Sequence, residues 1–372
     1  MQYCVRCVMP NTRPGIAFNS EGVCSACQAY HNRKKVNYQQ RFEELKKLCD
    51  KYRGVNGANG YDCMIAVSGG KDSHFQTHVI KEVMGMNPLL VSVEDNFPKT
   101  QAAAHNLMNI SEVFGCDLIT IRPNLKAQKI VMRKTFEKFG KPGYVIDRYI
   151  YTYPLHMALK FNTSLLVYGE NVSYEYGGVE AHETYSAKAQ VNNGVASGID
   201  VNDLLGNGVT LKDLNFFEPP SQEDLNKLDP IYLSYFVEWN SVKNYFLVKK
   251  MGFHDLTQEW ERTQNVEQFD QIDNRGMLVH GFAKYAKFGH FYATDYASRM
   301  VRYGMISRQE AVEMVRAKEH NFDPTVVREF CDFLGYSERE FWEILDGHFN
   351  RDLFEKDAFD NWVLKNPVWK AK

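Results

Sequence analysis

An apolar run, Met64 to Val67, stops at Ser68-Gly69-Gly70-Lys71-Asp72-Ser73, and a helical pattern begins at once. A strand that hands over to a helix through paired glycines admits few folds. The glycines let the backbone take positive φ and let several N–H groups converge. A helix starting there adds unpaired amides and the positive end of its dipole. Together these predict an anion nest sized for phosphate. Lys71 supplies a point charge, and Ser68 and Ser73 supply further donors. Asp72 would repel a phosphate unless a cation lies between them, so its presence points to Mg²⁺. The string G-x-x-x-x-G-K-[ST] of the P-loop does not occur in this chain.

The surroundings of this turn repeat its logic. Strand-like runs cover 62–67, 89–93, 117–121 and 165–168, with helical stretches at 73–84, 100–114 and 148–161 and an earlier helix at 37–53. The runs are short, apolar and non-alternating, as in strands covered on both faces. The expected fold class is therefore α/β, a doubly wound parallel sheet. Residues 171–219 are rich in Gly, Asn and Tyr without clear periodicity, which suits a substrate loop or lid. From about 235 onward the chain reads as helical. Ser307 with Glu310 and Ser337 with Glu340 form capping boxes, Asp323-Pro324 opens a helix and Gly335 closes it.

The front of the chain reads differently. Cys4-x2-Cys7 and Cys24-x2-Cys27, sixteen residues apart, have zinc-ribbon spacing. Two such turns close a tetrahedral shell of four thiolates and leave no ligand position for water, so the metal is expected to be structural. A [4Fe–4S] cluster is the competing occupant. Cys49, Cys63, Cys116 and Cys331 form no close pair and read as core fillers. The expected organisation is a ribbon over 1–35, a nucleotide domain over 36–235 that includes the 171–219 loop, and a helical region over 236–372.

Composition narrows the function classes. With 44% hydrophobic and 24% charged residues among 372, the chain is ordinary globular material, and its length exceeds one compact core. A net charge of −2 gives no overall attraction to nucleic acid. No window approaches about 18 consecutive apolar residues, so no membrane span is expected. The N-terminal stretch has no apolar signal region, and unpaired thiols suit a reducing cytoplasm.

The Ser68–Ser73 turn resembles the S-G-G-x-D-S loop of the PP-loop ATP pyrophosphatases. That resemblance implies a clamp on the β,γ-pyrophosphate of ATP, attack by a substrate oxygen on the α-phosphorus, and release of pyrophosphate. Further stretches narrow it: YCVRCVMPNTRPGIAFNSEGVCSAC at the front and GHFYATDYASRMVRYGMISRQEAVEMV at 289–315. The combination is similar, nearly end to end, to the N-acetyl sugar amidotransferases of bacterial lipopolysaccharide and O-antigen biosynthesis. Members convert an acetamido group to an acetamidino group. The resemblance implies a UDP-linked 2,3-diacetamido uronic acid as substrate, with a sister group acting on nonulosonic acids. It implies ammonia from a separate glutaminase, often through a cyclase-like barrel subunit. No nucleic acid partner is expected.

Site residues follow from position and from the resemblance. Ser68, Gly69, Gly70, Lys71, Asp72 and Ser73 would hold the nucleotide, with Lys71 and Asp72 acting in catalysis. Gly169 and Glu170 end the fourth strand, where open sheets bind ligands. By similarity, Glu170 would hold a metal or deprotonate incoming ammonia. Ser92 to Asp95, ending the second strand, would lie along adenosine. Arg299 and Arg302, three apart, would meet the sugar carboxylate or the pyrophosphate. Tyr174 and Tyr176, with Tyr185, His182 and Glu183 nearby, would stack on uracil or sugar. The rival readings are a PP-loop tRNA thiolase and a non-catalytic ATP-binding scaffold carrying a zinc ribbon.

Overall fold

The computed structural model describes residues 1–172, 175, 184–192 and 198–371. Five strands pair in parallel: β1 (Cys63–Ala66), β2 (Pro88–Val93), β3 (Leu118–Ile121), β4 (Leu165–Tyr168) and β5 (Asp229–Tyr232). Their order is β3-β2-β1-β4-β5. Ile65 lies beside Leu90 on one side and Val167 on the other, and Val167 beside Ile231. The chain steps outward from β1 to β3, then returns to the far side of β1 with β4. The topological switch point therefore falls between β1 and β4, directly above the glycine turn and Glu170.

The longer helices of this half are α1 (Ser25–Arg33), α2 (Tyr38–Tyr52), α3 (Lys71–Thr77), α4 (Gln101–Phe114), α5 (Leu125–Phe139) and α6 (Tyr144–Lys160). Alternate strand residues explain the two faces. Cys63, Ile65, Leu90, Val167 and Ile231 pack with Leu45 and Cys49 of α2 and Ile110 and Phe114 of α4. Met64, Leu89, Val91, Leu166 and Tyr168 pack with Tyr153, Leu155 and Met157 of α6. Both faces are buried, which is why the runs show no alternation of polarity. The doubly wound α/β class is as the sequence predicts.

The boundaries differ in several places, among them α6, which begins at Tyr144 rather than residue 148, and α1, which the sequence reading does not include. Helix α3 begins at Lys71, not at residue 73, and runs straight into a π-helical turn, His78–Val83. Helix α5 and edge strand β5 are additional to the sequence reading. The C-terminal region is not wholly helical: β6 (Phe354–Lys356) and β7 (Trp362–Leu364) form an antiparallel hairpin.

Its helices are α7 (Ser241–Lys249), α8 (Val279–Phe288), α9 (Tyr292–Tyr303), α10 (Arg308–Lys318), α11 (Pro324–Leu334) and α12 (Glu338–Gly347). Both expected capping boxes form. Asp323 caps α11, and Gly335 ends it at φ +75°, a conformation glycine takes without strain. The N-terminal segment packs on this region, with Tyr3 and Val8 against Ala297, Ala311, Val312 and Val315. Arg308 Nε donates to the carbonyls of Cys4 and Cys7 at 3.3 and 3.1 Å. No helix among the described residues is long and apolar enough to cross a membrane.

Candidate active site

The turn after β1 is held by its own hydroxyls. Ser68 N–H donates to Ser73 Oγ at 2.9 Å, and Gly70 N–H to Ser68 Oγ at 3.2 Å. Gly69 sits at φ +82°, and a Cβ there would meet the Leu107 backbone of α4 at 3.1 Å. Conformation and space both require glycine. The turn thus presents Lys71 and Asp72 on the first turn of α3, over the switch point.

Four charged side chains converge there. Lys71, buried, donates from Nζ to Asp72 Oδ2 at 2.7 Å and to Asp270 Oδ1. The other Asp270 oxygen accepts from Arg299 Nη2 at 2.6 Å. Asn244, on α7, donates to Asp72 Oδ1 at 2.9 Å. Burial disfavours the Lys71 charge, but the Asp270 and Asp72 carboxylates outweigh it and hold its pKa above the ordinary lysine range. Burial likewise works against the Asp270 carboxylate, yet Lys71 and Arg299 keep it below the usual carboxylate range. Sequence reasoning found Lys71, Asp72 and Arg299 but missed Asn244 and Asp270. Neither lies in a motif, and each is about 170 or more residues from its partner.

Gly169 and Glu170 close the other side of the crevice. A Cβ on Gly169 would meet the Trp239 ring at 2.9 Å and Gln76 Oε1 at 3.1 Å, so no other residue fits. Glu170 feels Asp72, Glu175, Arg299 and Lys71, which sets it among the same charges. Burial, then the negative Asp72 and Glu175, push its pKa up to about 8, against the opposing pull of Arg299 and Lys71. A carboxyl whose folded pKa is raised stabilises the fold at low pH and loses that contribution as pH rises through the folded value. Glu170→Gln should therefore melt close to wild type at pH 5 and above it at pH 9, as read by thermal denaturation at both pH values. The same melting difference at both pH values would contradict the shift.

The other expected contacts divide. Ser92 is buried near the end of β2, one strand from the turn. Asp95 accepts from Phe97 N–H at 2.9 Å and Asn274 Nδ2 at 2.7 Å, with burial raising its pKa to about 6. Arg302 does not join the Lys71 cluster. Its Nη2 donates to the Glu175 carbonyl at 2.8 Å, and it is buried rather than on a solvated helix face. The Glu175 carboxylate pairs with Arg33 of α1 at 2.5 Å, so the first turn of the 171–219 loop is tied to the N-terminal segment. Tyr185, half-buried, packs against Tyr235 and Phe236. Tyr174, Tyr176, His182 and Glu183 lie outside the described residues.

The four N-terminal cysteines are buried with their sulfurs within 4.8 Å of one another. Zinc–thiolate bonds of about 2.3 Å put the corners of a tetrahedron about 3.8 Å apart. Cys4–Cys27 and Cys7–Cys24 stand at 3.9 and 3.7 Å. Cys4 Sγ also accepts from the N–H groups of Arg6 and Cys24 at 3.4 and 3.3 Å. The set fits a single tetrahedral ion. A cubane, with four irons between its thiolates, needs them farther apart. Metal analysis should find about one zinc per chain, and Ser at any of the four positions should lower stability. A metal-free protein of undiminished stability would contradict this. Cys49, Cys63, Cys116 and Cys331 are buried in the core.

Comparison with known proteins adds to this geometry. The family model for the C-terminal domain of WbpG-like LPS biosynthesis proteins matches residues 231–368. This agrees with the lipopolysaccharide-biosynthesis resemblance read from the sequence. Asn244, Asp270 and Arg299, which reach the glycine turn, lie within the stretch that this model matches. An uncharacterized protein of Methanocaldococcus jannaschii is 28% identical over 121 residues, 32% of this chain and 42% of its own length. The match thus spans less than half of that relative. Among solved structures, the U34-tRNA thiolase NcsA of Methanococcus maripaludis with its [4Fe–4S] cluster aligns at TM-score 0.32 and 13% identity, covering 90% of this chain and 96% of its own. NMN synthetase of Francisella tularensis aligns at 0.28 and 13%, covering 60% and 100%.

Proposed function

We propose that this chain is an ATP-dependent, AMP-forming N-acetyl sugar amidotransferase of bacterial surface-polysaccharide biosynthesis. One observation carries the reading: the phosphate-type turn of the sheet and the stretch that the WbpG-like model matches build a single charged site, with Lys71 and Asp72 meeting Asn244, Asp270 and Arg299. The best-fitting substrate is a UDP-linked 2,3-diacetamido uronic acid.

The chemistry follows from the leaving group. An amide oxygen leaves poorly, and adenylation corrects that. The acetamido oxygen attacks the α-phosphorus of ATP and pyrophosphate departs, leaving an O-adenylyl imidate. Ammonia adds to the imidate carbon and AMP leaves with the former acetamido oxygen, giving an amidine. The amides of the glycine turn and Lys71 hold the pyrophosphate. Asp72 and Glu170 are the carboxylates that would hold Mg²⁺, which when bound offsets the phosphate charge. Alternatively Glu170, with its pKa raised to about 8, would serve as the base that accepts a proton from ammonia.

Nitrogen supply gives the test. A partner glutaminase would deliver ammonia, so glutamine alone should not support turnover by the isolated chain. Ammonium should, increasingly with pH, because the unprotonated fraction rises about tenfold per unit below its pKa. Adding the glutaminase should restore glutamine use near neutral pH. Turnover by the isolated chain with glutamine as sole nitrogen source would overturn the partner assignment.

A further inference from the structure

Asp270 has a position that its own segment does not explain. Its two carboxylate oxygens bridge Lys71 Nζ and Arg299 Nη2, one cation to each oxygen. That is how two oxygens of a phosphate would be held. With Asp72, the paired groups number two positive and two negative, and Glu170 lies among the same charges. An incoming pyrophosphate would meet cations already neutralised.

The loop that presents Asp270 is built for the purpose. Arg262, fully buried, donates to the Asp270 carbonyl at 2.6 Å and to the Glu267 carbonyl at 2.5 Å. The Glu267 carboxylate accepts from the N–H groups of Phe269 and Asp270 at 2.7 and 2.8 Å. The Phe269 ring stacks on Tyr245 at 4.3 Å. Gln271, next in the chain, is held at φ +55°, a strained value for a residue with a Cβ. A fixed backbone therefore aims one carboxylate.

We propose that Asp270 occupies the place of the nucleotide's pyrophosphate between Lys71 and Arg299 and must leave both before that pyrophosphate can bind. The inference rests on the turn being a pyrophosphate clamp. Asp270 is then a positioning residue: it keeps Lys71 and Arg299 poised and satisfied in the empty site, and competes with the ligand for them.

Asp270→Asn separates this from a structural role, because it should weaken the empty protein and strengthen binding. We expect a lower melting temperature without ligand and roughly tenfold tighter binding of inorganic pyrophosphate by calorimetry, as one competing charge is removed. Asp270→Glu, which keeps the charge, should bind like wild type. In wild-type protein, amides of residues 262–271 should exchange hydrogen faster once pyrophosphate is added. Pyrophosphate binding by Asp270→Asn that is unchanged or weaker would overturn the proposal, and so would exchange over 262–271 that does not change. Failure of the wild-type protein to bind pyrophosphate at all would overturn the clamp reading itself.

Discussion

Asp72→Asn should fold like wild type and lose pyrophosphate release by about 100-fold or more, the usual scale for removing a metal-bridging charge from a phosphoryl-transfer site. The fold should survive because Asn keeps one carbonyl oxygen for Asn244 Nδ2, which now reaches Asp72 Oδ1 at 2.9 Å. Lys71 keeps its pair with Asp270. The Lys71–Asp72 ion pair is lost together with the charge facing the phosphates. The check is a pyrophosphate-release assay with Mg²⁺, beside a melting curve. Wild-type release by this variant would mean that the turn has another purpose.

Glu170→Gln has the second large effect, and it falls on the other half-reaction. A base toward ammonia contributes roughly 10²–10⁴-fold. Adenylation should continue, seen as ATP-dependent pyrophosphate release with sugar present, while amidine formation falls by that factor. Glu170 also shares the site with Asp72, so the alternative role, a metal ligand, predicts the reverse order of failure: adenylation first. The pH dependence adds a second reading. With the Glu170 pKa near 8, the base is mostly protonated at neutral pH, so wild-type amidine formation should climb through that range. The Gln variant should show only the ammonia part of the rise. A variant with wild-type rates in both steps would remove Glu170 from the mechanism.

What the sequence could and could not disclose follows from the kind of signal each part carries. Strands β1, β2 and β4 are legible because burial on both faces makes each an apolar run, and β3, half-buried at the sheet edge, because Leu118, Ile119 and Ile121 are apolar around the exposed Thr120. Strand β5 was not: Asp229-Pro230-Ile231-Tyr232 is four residues with a proline, a pattern that argues against a strand except at a sheet edge, which is where it lies. Helix α5 hides its stripe, Ala127, Val131, Met132 and Phe136, among lysines and polar residues. The C-terminal hairpin has strands of three residues, too short for a period of two to register. Local punctuation did transmit: the capping boxes at Ser307 and Ser337 and the glycine at 335 stand where expected, because caps depend on neighbours in sequence.

The site divides in the same way. Lys71, Asp72 and the glycines are readable because one short stretch makes the nest. Gly169 and Glu170 are readable because strand ends in an open sheet face the crevice. Asp270 and Asn244 act at Lys71 and Asp72 only through the fold, and no spacing announces them. Arg302 shows the opposite error of proximity. It is three residues from Arg299 on α9, yet it turns to the Glu175 carbonyl while Arg299 turns to Asp270.

The central claim is that the acetamido oxygen of a sugar is activated by ATP at this site, and following that oxygen tests it most directly. The UDP-linked diacetamido uronic acid, labelled with heavy oxygen in its acetamido groups, is incubated with the protein, ATP, Mg²⁺ and ammonium. Products are then weighed by mass spectrometry. The account predicts an amidine that has lost one of its two labels, the other remaining in the unreacted acetamido group, and AMP that carries one labelled oxygen on its phosphate. Unlabelled AMP, or ADP and phosphate in place of AMP and pyrophosphate, would contradict it.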